Sequence, residues 1–257
     1  YAFKDMSILS EVHLPSKITY LGDHAFYGCG ELKIISVYDG LRYVGDGVFK
    51  GCDKLCQVFF TMKRRNAAAL RILISNVELD LRAELIYEEA NGERTQVRLV
   101  YPAFYYDYIE NYPARIFDEV VYGTGLEYRQ CFKDGDVDYF GYDKLFLRCS
   151  REDDKDVPLW LCMGRLTSPY KLSQMAGDKY RAYLSEHGKE VLNLLIREKR
   201  PALLEEVLAL DLFDEEMTRQ MIDMAVVGKH TEFIGLMMNY QGRRFPARER
   251  RKKTFIL

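Results

Sequence analysis

Residues 14–32 read LPSKITYLGDHAFYGCGEL, and residues 37–55 read VYDGLRYVGDGVFKGCDKL. Overlaid at an interval of 23 residues, the two stretches agree at their apolar and small positions. Ile18 meets Leu41, Leu21 meets Val44, Gly22 meets Gly45, Ala25-Phe26 meets Val48-Phe49, Gly28-Cys29 meets Gly51-Cys52, and Leu32 meets Leu55. The same interval reaches back to Ala2-Phe3 and Leu9, and links Val12, Ile35 and Val58. A fixed period of this length is the mark of a repeat architecture. The alternation in Val12-His13-Leu14 and Ile35-Ser36-Val37 suits a short strand with one face inward. Ile18, Leu21 and Ala25-Phe26 then return the chain to the core, and Gly22 and Gly45 permit a tight or left-handed turn. The expectation is a coil of about 23 residues stacked on its neighbours. Cys29 and Cys52 fall one above the other in such a stack. A disulfide is one arrangement for them, and a ladder of thiols in a dry core is the favoured one.

The phrase at residues 14–32 resembles the BspA-type leucine-rich repeat of bacterial proteins, whose form is a strand, a Pro-containing turn, an I-x-x-I/L-G step and A-F-x-G-C-x-x-L. The second copy lacks the Pro and carries Val48 where Ala is usual. The resemblance spans about residues 1–60 and implies a solenoid that serves as a binding or adhesion module, often at a cell surface. One coil cannot bury its apolar face alone, and about three are needed for stability. The two and a half copies here therefore need cover from the chain beyond residue 60 or from repeats preceding Tyr1.

From Thr61 to about Asp143 the period is lost. Ala67 to Leu73 reads as a short helix or a last irregular coil. Leu79 to Glu88 and Gln96 to Tyr101 alternate as strands, and Asn91-Gly92 between them is a hairpin signal. Tyrosines then gather at 101, 105, 106, 108, 112, 122, 128, 139 and 142. Aromatic rings with polar tips suit either a packed junction or a recognition surface, and the sequence leaves both open.

A helical period is expected from about Leu145. Val191, Leu192, Leu195 and Ile196 share a face, as do Leu203, Leu204, Val207 and Leu208 after Pro201. Asp214 reads as an N-cap, Met217, Met221, Met224 and Ala225 as a core stripe, and Gly228 as a stop. Val191, Leu195, Leu203 and Leu208 recur about 30 residues on as Met221, Ala225, Phe233 and Met238. The stretch AVVGKHTEFIGLMM resembles the paired helices of ankyrin repeats at Ala225, Gly228, Glu232, Phe233, Ile234, Met237 and Met238. His230 stands one residue late for the family histidine, and the family's T-P-L-H turn is replaced by DEEMTRQM. From Arg243 to Lys253 seven basic residues face one acid, Glu249, which reads as a solvated tail or a contact for an acidic partner or lipid surface.

The chain of 257 residues balances 37 basic against 39 acidic residues, so charge gives no general pull toward nucleic acid or membrane. No apolar run is long enough to span a bilayer, and no signal peptide is visible. Six cysteines form no CxxC pair, and four histidines form no HxH or HxxxH pair, so zinc has no sequence support. Asp134, Asp136 and Asp138 alternate as in a calcium loop, yet Tyr139 and Leu145 stand where Gly and Glu are required. No phosphate loop and no G-x-S-x-G elbow occurs, and Cys56 has no evident base.

The resulting expectation is an α+β chain. Leucine-rich repeats occupy 1–60 as a solenoid, a mixed β and Tyr-rich segment 61–143, an antiparallel, ankyrin-like helix-pair region 144–242, and a basic tail 243–257. Its expected function is protein–protein interaction or scaffolding in the cytoplasm, with no catalytic residue, metal or cofactor. Candidate binding residues are His13, Ser36 and Gln57 on the strand face and Tyr105, Tyr106 and Tyr108 in the Tyr-rich segment. One alternative is a secreted or cell-surface adhesin or glycan binder. The other is a metal protein or enzyme using the acidic middle.

Overall fold

The computed structural model describes residues 2–64, 66–111 and 116–246. It is an α+β protein. Strand β1 (Glu11–His13) and the two-residue β2 (Tyr20–Leu21) lie in the first coil, β3 (Ile34–Tyr38) and β4 (Tyr43–Val44) in the second, and β5 (Gln57–Met62) opens the third. β1, β3 and β5 pair in parallel with Val12 opposite Ile35 and Ile35 opposite Val58, so the pairing register is the sequence period. β2 and β4 pair in a second ladder, with Leu21 opposite Val44. Like side chains consequently stack. Phe3, Phe26 and Phe49 lie with ring centroids 5.2 and 5.9 Å apart, and Tyr20 and Tyr43 4.7 Å apart. Asp5, Gly28 and Gly51, in phase, all adopt left-handed backbone with φ of 59°, 73° and 77°. Gly avoids the Cβ clash of that region, and Asp tolerates it better than most residues. The six cysteines are free. Cys29 Sγ donates to Phe3 O at 3.0 Å and Cys52 Sγ to Phe26 O at 3.1 Å, so each thiol caps a carbonyl of the preceding coil. Burial pushes the Cys52 thiol up to about 11.

The sheet continues past residue 60. Helix α1 (Ala68–Ser75) takes the side of the coil that β2 and β4 occupy earlier, burying Leu70, Leu73 and Ile74. β6 (Leu81–Glu88) then pairs in parallel with β5, Gln57 opposite Arg82. The helix inserts extra residues, which is why the 23-residue period disappears from the sequence while the strand ladder goes on. β7 (Arg94–Tyr101) returns antiparallel through the Asn91-Gly92 turn, where Gly92 has φ 86° and Glu89 N donates to Glu93 O at 2.9 Å. The strand order is β1-β3-β5-β6-β7.

Next come β8 (Tyr105–Asn111) and β9 (Ile116–Tyr122), an antiparallel pair in its own sheet. α2 (Gly125–Arg129), β10 (Phe132–Lys133), β11 (Asp136–Val137), α3 (Tyr139–Lys144), α4 (Phe146–Glu152) and α5 (Asp156–Thr167) come after it. Helices thus begin ahead of Leu145, because α2 and α3 are too short to display a period. Asp134 and Gly135, with φ of 52° and 79°, are the paired left-handed residues of the β10–β11 hairpin turn. Asp138 caps α3 by accepting from Gly141 N at 3.0 Å. Asp136 accepts from Tyr87 Oη at 2.8 Å and pairs with Lys171 at 2.9 Å. The three aspartates therefore serve separate local roles. Among the described residues no group of His, Cys, Asp and Glu is placed to hold a metal ion.

The tyrosines divide between buried and exposed positions. Tyr101, Tyr128, Tyr139 and Tyr142 are buried, and the Tyr142 hydroxyl accepts from Val100 N at 2.8 Å and donates to Val100 O at 2.7 Å, satisfying part of the β7 edge. Tyr105 and Tyr122 stack at 4.9 Å and are 59% and 39% exposed. Tyr112 lies outside the described residues. Two buried arginines complete this region. Arg165 makes a bidentate pair with Asp143 at 2.9 and 3.0 Å. Arg129, 2% exposed, donates to the carbonyls of Ile74, Val77, Leu79, Pro102 and Gly125 and lies 4.9 Å from the centre of the Phe104 ring. Desolvation holds its guanidinium down at about 10.

Two compact units are present, Tyr1–Asp178 and Lys179–Leu257, with the boundary inside α6 (Gln174–Glu186). The change of sequence period places the division at 143/144 instead. α5 belongs to the first unit because it packs on β7. The second unit holds α7 (Gly188–Arg197), α8 (Pro201–Leu208), α9 (Glu215–Val227) and α10 (Thr231–Arg244). α7 packs on α9 and α8 on α10, so one helix pair stacks on the next. The 30-residue offset is carried by the backbone. Lys199 and Lys229 have φ of 53° and 57°. Arg200 N donates to Leu195 O at 2.9 Å and His230 N to Ala225 O at 3.0 Å. Asp214 caps α9 by accepting from Met217 N at 2.7 Å, and Gly228 is its C-cap. Met221 and Met237 are buried, but Met238 is 58% exposed: the helix turns it away from the face that Phe233, Met237 and Tyr240 present to the core. Of the basic tail, residues 247–257 lie outside the described residues. Among the described residues no helix is long and apolar enough to cross a membrane.

Candidate interaction surface

Side chains alternate across the five-stranded sheet. One set, Val12, Ile35, Val58, Ala83 and Leu99, points to the core in register. The other set forms outward rows. One row runs Glu11, Ile34, Gln57, Arg82 and Val100. The next runs His13, Ser36, Phe59, Glu84 and Arg98. A third runs Tyr38, Thr61, Ile86 and Gln96.

The strand-face candidates all lie on this outward side. His13 and Ser36 are direct neighbours, with Nδ1 and Oγ 2.8 Å apart, and His13 Nε2 lies 3.6 Å from a Glu11 carboxylate oxygen. Gln57 stands one row away, opposite Ile34, and the position opposite Ser36 is Phe59. Phe59 is missing from the sequence-based candidates, although the alternation that selects Gln57 selects it equally.

Helix α5 covers one side of the same face. Gly164 approaches β7 so closely that a Cβ there would lie 3.0 Å from Arg98 O. Arg98 Nη1 donates to Thr167 Oγ1 at 3.0 Å, and the Arg82 guanidinium sits 4.6 Å from the centre of the Trp160 ring. Among the described residues of the first unit no helix packs on the face of β1, β3 and β5, where Ile34, Tyr38, Phe59 and, on β6, Ile86 are half-buried among Ser36, Gln57 and Thr61. One end of this face is bordered by charge. Lys63 pairs with Glu88 at 3.5 Å and lies 5.8 Å from the Tyr38 ring centre, and Arg94 pairs with the same Glu88 at 3.4 Å. Trp160 carries no sequence signal, since its helix becomes a wall of the surface only through tertiary packing.

Tyr105 and Tyr106 belong to β8, in a different sheet from the strand-face residues, and Tyr108 lies in β8 with its side chain outside the described residues. Tyr105 and Tyr122 line a hollow of about 490 Å³ with Ala103, Val121, Gly123, Glu152, Asp153 and Asp154. Its acids have local work. Asp153 accepts from Thr124 N at 3.0 Å and from the Thr124 hydroxyl, Glu152 from Arg148 Nε at 2.8 Å, and Asp154 from Asp156 N at 3.0 Å.

A family model described as BspA type leucine rich repeat region (6 copies) matches residues 1–70. The match covers the stacked coils and runs into α1. No curated protein and no solved structure matches the chain. Similarity to leucine-rich repeats suggests protein binding and leaves the partner's identity open.

Proposed function

We propose that the chain is a protein-interaction module that works without a chemical step, its binding surface being the open outward face of β1, β3 and β5. The observation that carries this reading is the row of half-buried apolar and small polar side chains on strands held in strict register, beside an α5 wall that already packs on the same face. A rigid sheet presents side chains at fixed spacing, which lowers the entropy lost on binding. We read the stacked coils as a leucine-rich-repeat solenoid and the stacked pairs α7–α8 and α9–α10 as ankyrin-like repeats. Stacked repeats of both kinds offer extended binding surfaces.

The test is position-dependent photocrosslinking. A photoreactive amino acid is placed singly at Ser36, at Phe59 and, as a control away from this face, at Lys50, and each variant is exposed to extract of cells that make the chain naturally. Protein adducts formed from positions 36 and 59 and not from 50 support the reading. Equal labelling from all three sites, or none from the strand face, refutes it.

A further inference from the structure

The way α5 sits on the sheet indicates what its neighbour on that face is. Neighbouring strands lie about 4.8 Å apart, and a helix with its side chains is about 10–12 Å across. One helix therefore spans about two strands. α5 packs on the edge strand β7, with Gly164 against Arg98, and extends the Trp160 ring over the Arg82 guanidinium of β6. The next two strands, β5 and β3, form an adjoining seat of the same width on which no described helix of the first unit packs. Its outward side chains suit a helix as occupant. Ile34 and Phe59 lie on a diagonal, Ser36 and Gln57 between them are small or polar, and half-buried Trp160 stands on the α5 side.

We infer that β3 and β5 seat an amphipathic helix of a partner protein, laid beside α5 and packing an apolar stripe against Ile34, Phe59 and Trp160. The seat continues an interface the chain already makes with its own helix, which is what selects a helix over an extended strand. β5 has hydrogen-bonded neighbours on both sides, β3 and β6, so an incoming strand has no free backbone groups to pair with there. The stripe follows helical spacing at i, i+3 or i+4, and i+7, with a small residue where the helix comes closest, as Gly164 does in α5.

This inference rests on the binding face proposed above, and the test separates the two. Binders are selected against the whole chain from two libraries, one randomised on a single helix face of a three-helix scaffold and one displaying extended peptides. Each winner is titrated against the parent chain, Phe59→Glu and Ser36→Trp, with circular dichroism melts confirming that both variants fold. Ser36→Trp adds bulk outside the core, so it remains informative if Phe59→Glu unfolds. The expected result is helical winners weakened at least tenfold by either substitution. If only extended peptides are weakened, the helix inference fails and the binding face stands. If winners from both libraries ignore both substitutions, both fail.

Discussion

Replacing Gly45 by alanine should destabilise the first unit far more than the same change at Gly22, although the two occupy one position of the repeat. Parallel pairing fixes the coils about 4.8 Å apart, and Gly45 N donates to Leu21 O at 2.8 Å across that gap. A Cβ at position 45 would stand 2.7 Å from Asp23 Cα and nearer still to the Asp23 amide nitrogen and carboxylate. Unstrained carbon contacts begin near 3.5 Å, so the coils must part by close to ~1 Å. Overpacking of this kind costs ~1–3 kcal/mol, and each stretched intercoil hydrogen bond forfeits up to ~1 kcal/mol. The expected loss is ~2–4 kcal/mol by the same two terms. At Gly22 the nearest foreign atom is the Tyr20 ring at 3.3 Å, a side chain free to yield. Gly22→Ala should therefore stay within ~1 kcal/mol of the parent, helped by the lower entropy of the unfolded chain. Urea titration followed by far-ultraviolet circular dichroism measures both, with the slope checked for constancy. Near-parental stability of Gly45→Ala, or an equal loss at both sites, would refute the argument from coil spacing.

Asp80→Asn should stabilise the fold slightly at neutral pH, the effect being screened because Asp80 lies at the surface. Partial desolvation of the carboxyl, together with the like charges of Asp153 and Asp154, raises it above its ordinary value, although Ala103 N donates to it. A raised carboxylate favours the protonated folded state, so the parent gains stability as pH falls through the raised folded value and loses it as pH rises. The advantage of the asparagine variant should shrink in the acid direction, and paired urea midpoints across that range check the sign. Arg165→Met removes the bidentate partner of the buried Asp143 and should cost ~3–5 kcal/mol, while the double change with Asp143→Leu should recover most of it; a double-mutant cycle reads this directly. Phe59→Glu, on the open face, should move the melting temperature by only a few degrees while abolishing crosslinks from Ser36. Under native conditions a thiol reagent should label half-buried Cys56 first, since burial pushes the Cys131 thiol up to about 12 and Cys29, Cys52, Cys149 and Cys162 are buried, as mass spectrometry of timed samples can show.

The repeat is legible in the sequence because stacking forces identity. Residues 23 apart occupy the same place in successive coils, so Phe, Gly and Cys recur. The helix pairs are legible for a similar reason at 30 residues. The fourth parallel strand, β6, is legible as a strand but not as a continuation of the stack, since α1 breaks the count before it. The short helices α2 and α3 and the Asp134-Gly135 hairpin occupy too few residues to show a period, although Asp-Gly is itself a hairpin signal. Of the candidate surface, alternation places His13, Ser36 and Gln57 outward. The α5 wall with Trp160 depends on contacts distant in sequence that no local pattern encodes.

The Arg129 guanidinium has one further consequence. Five carbonyl groups, from the end of α1, the approach to β6, the exit of β7 and the start of α2, converge on a single side chain. These segments are distant in sequence but share one knot, so untying it should release all of them together. The coils and the helices of the first unit are then expected to melt as a single event, and a partner gripping the strands would steady residues far from its own footprint.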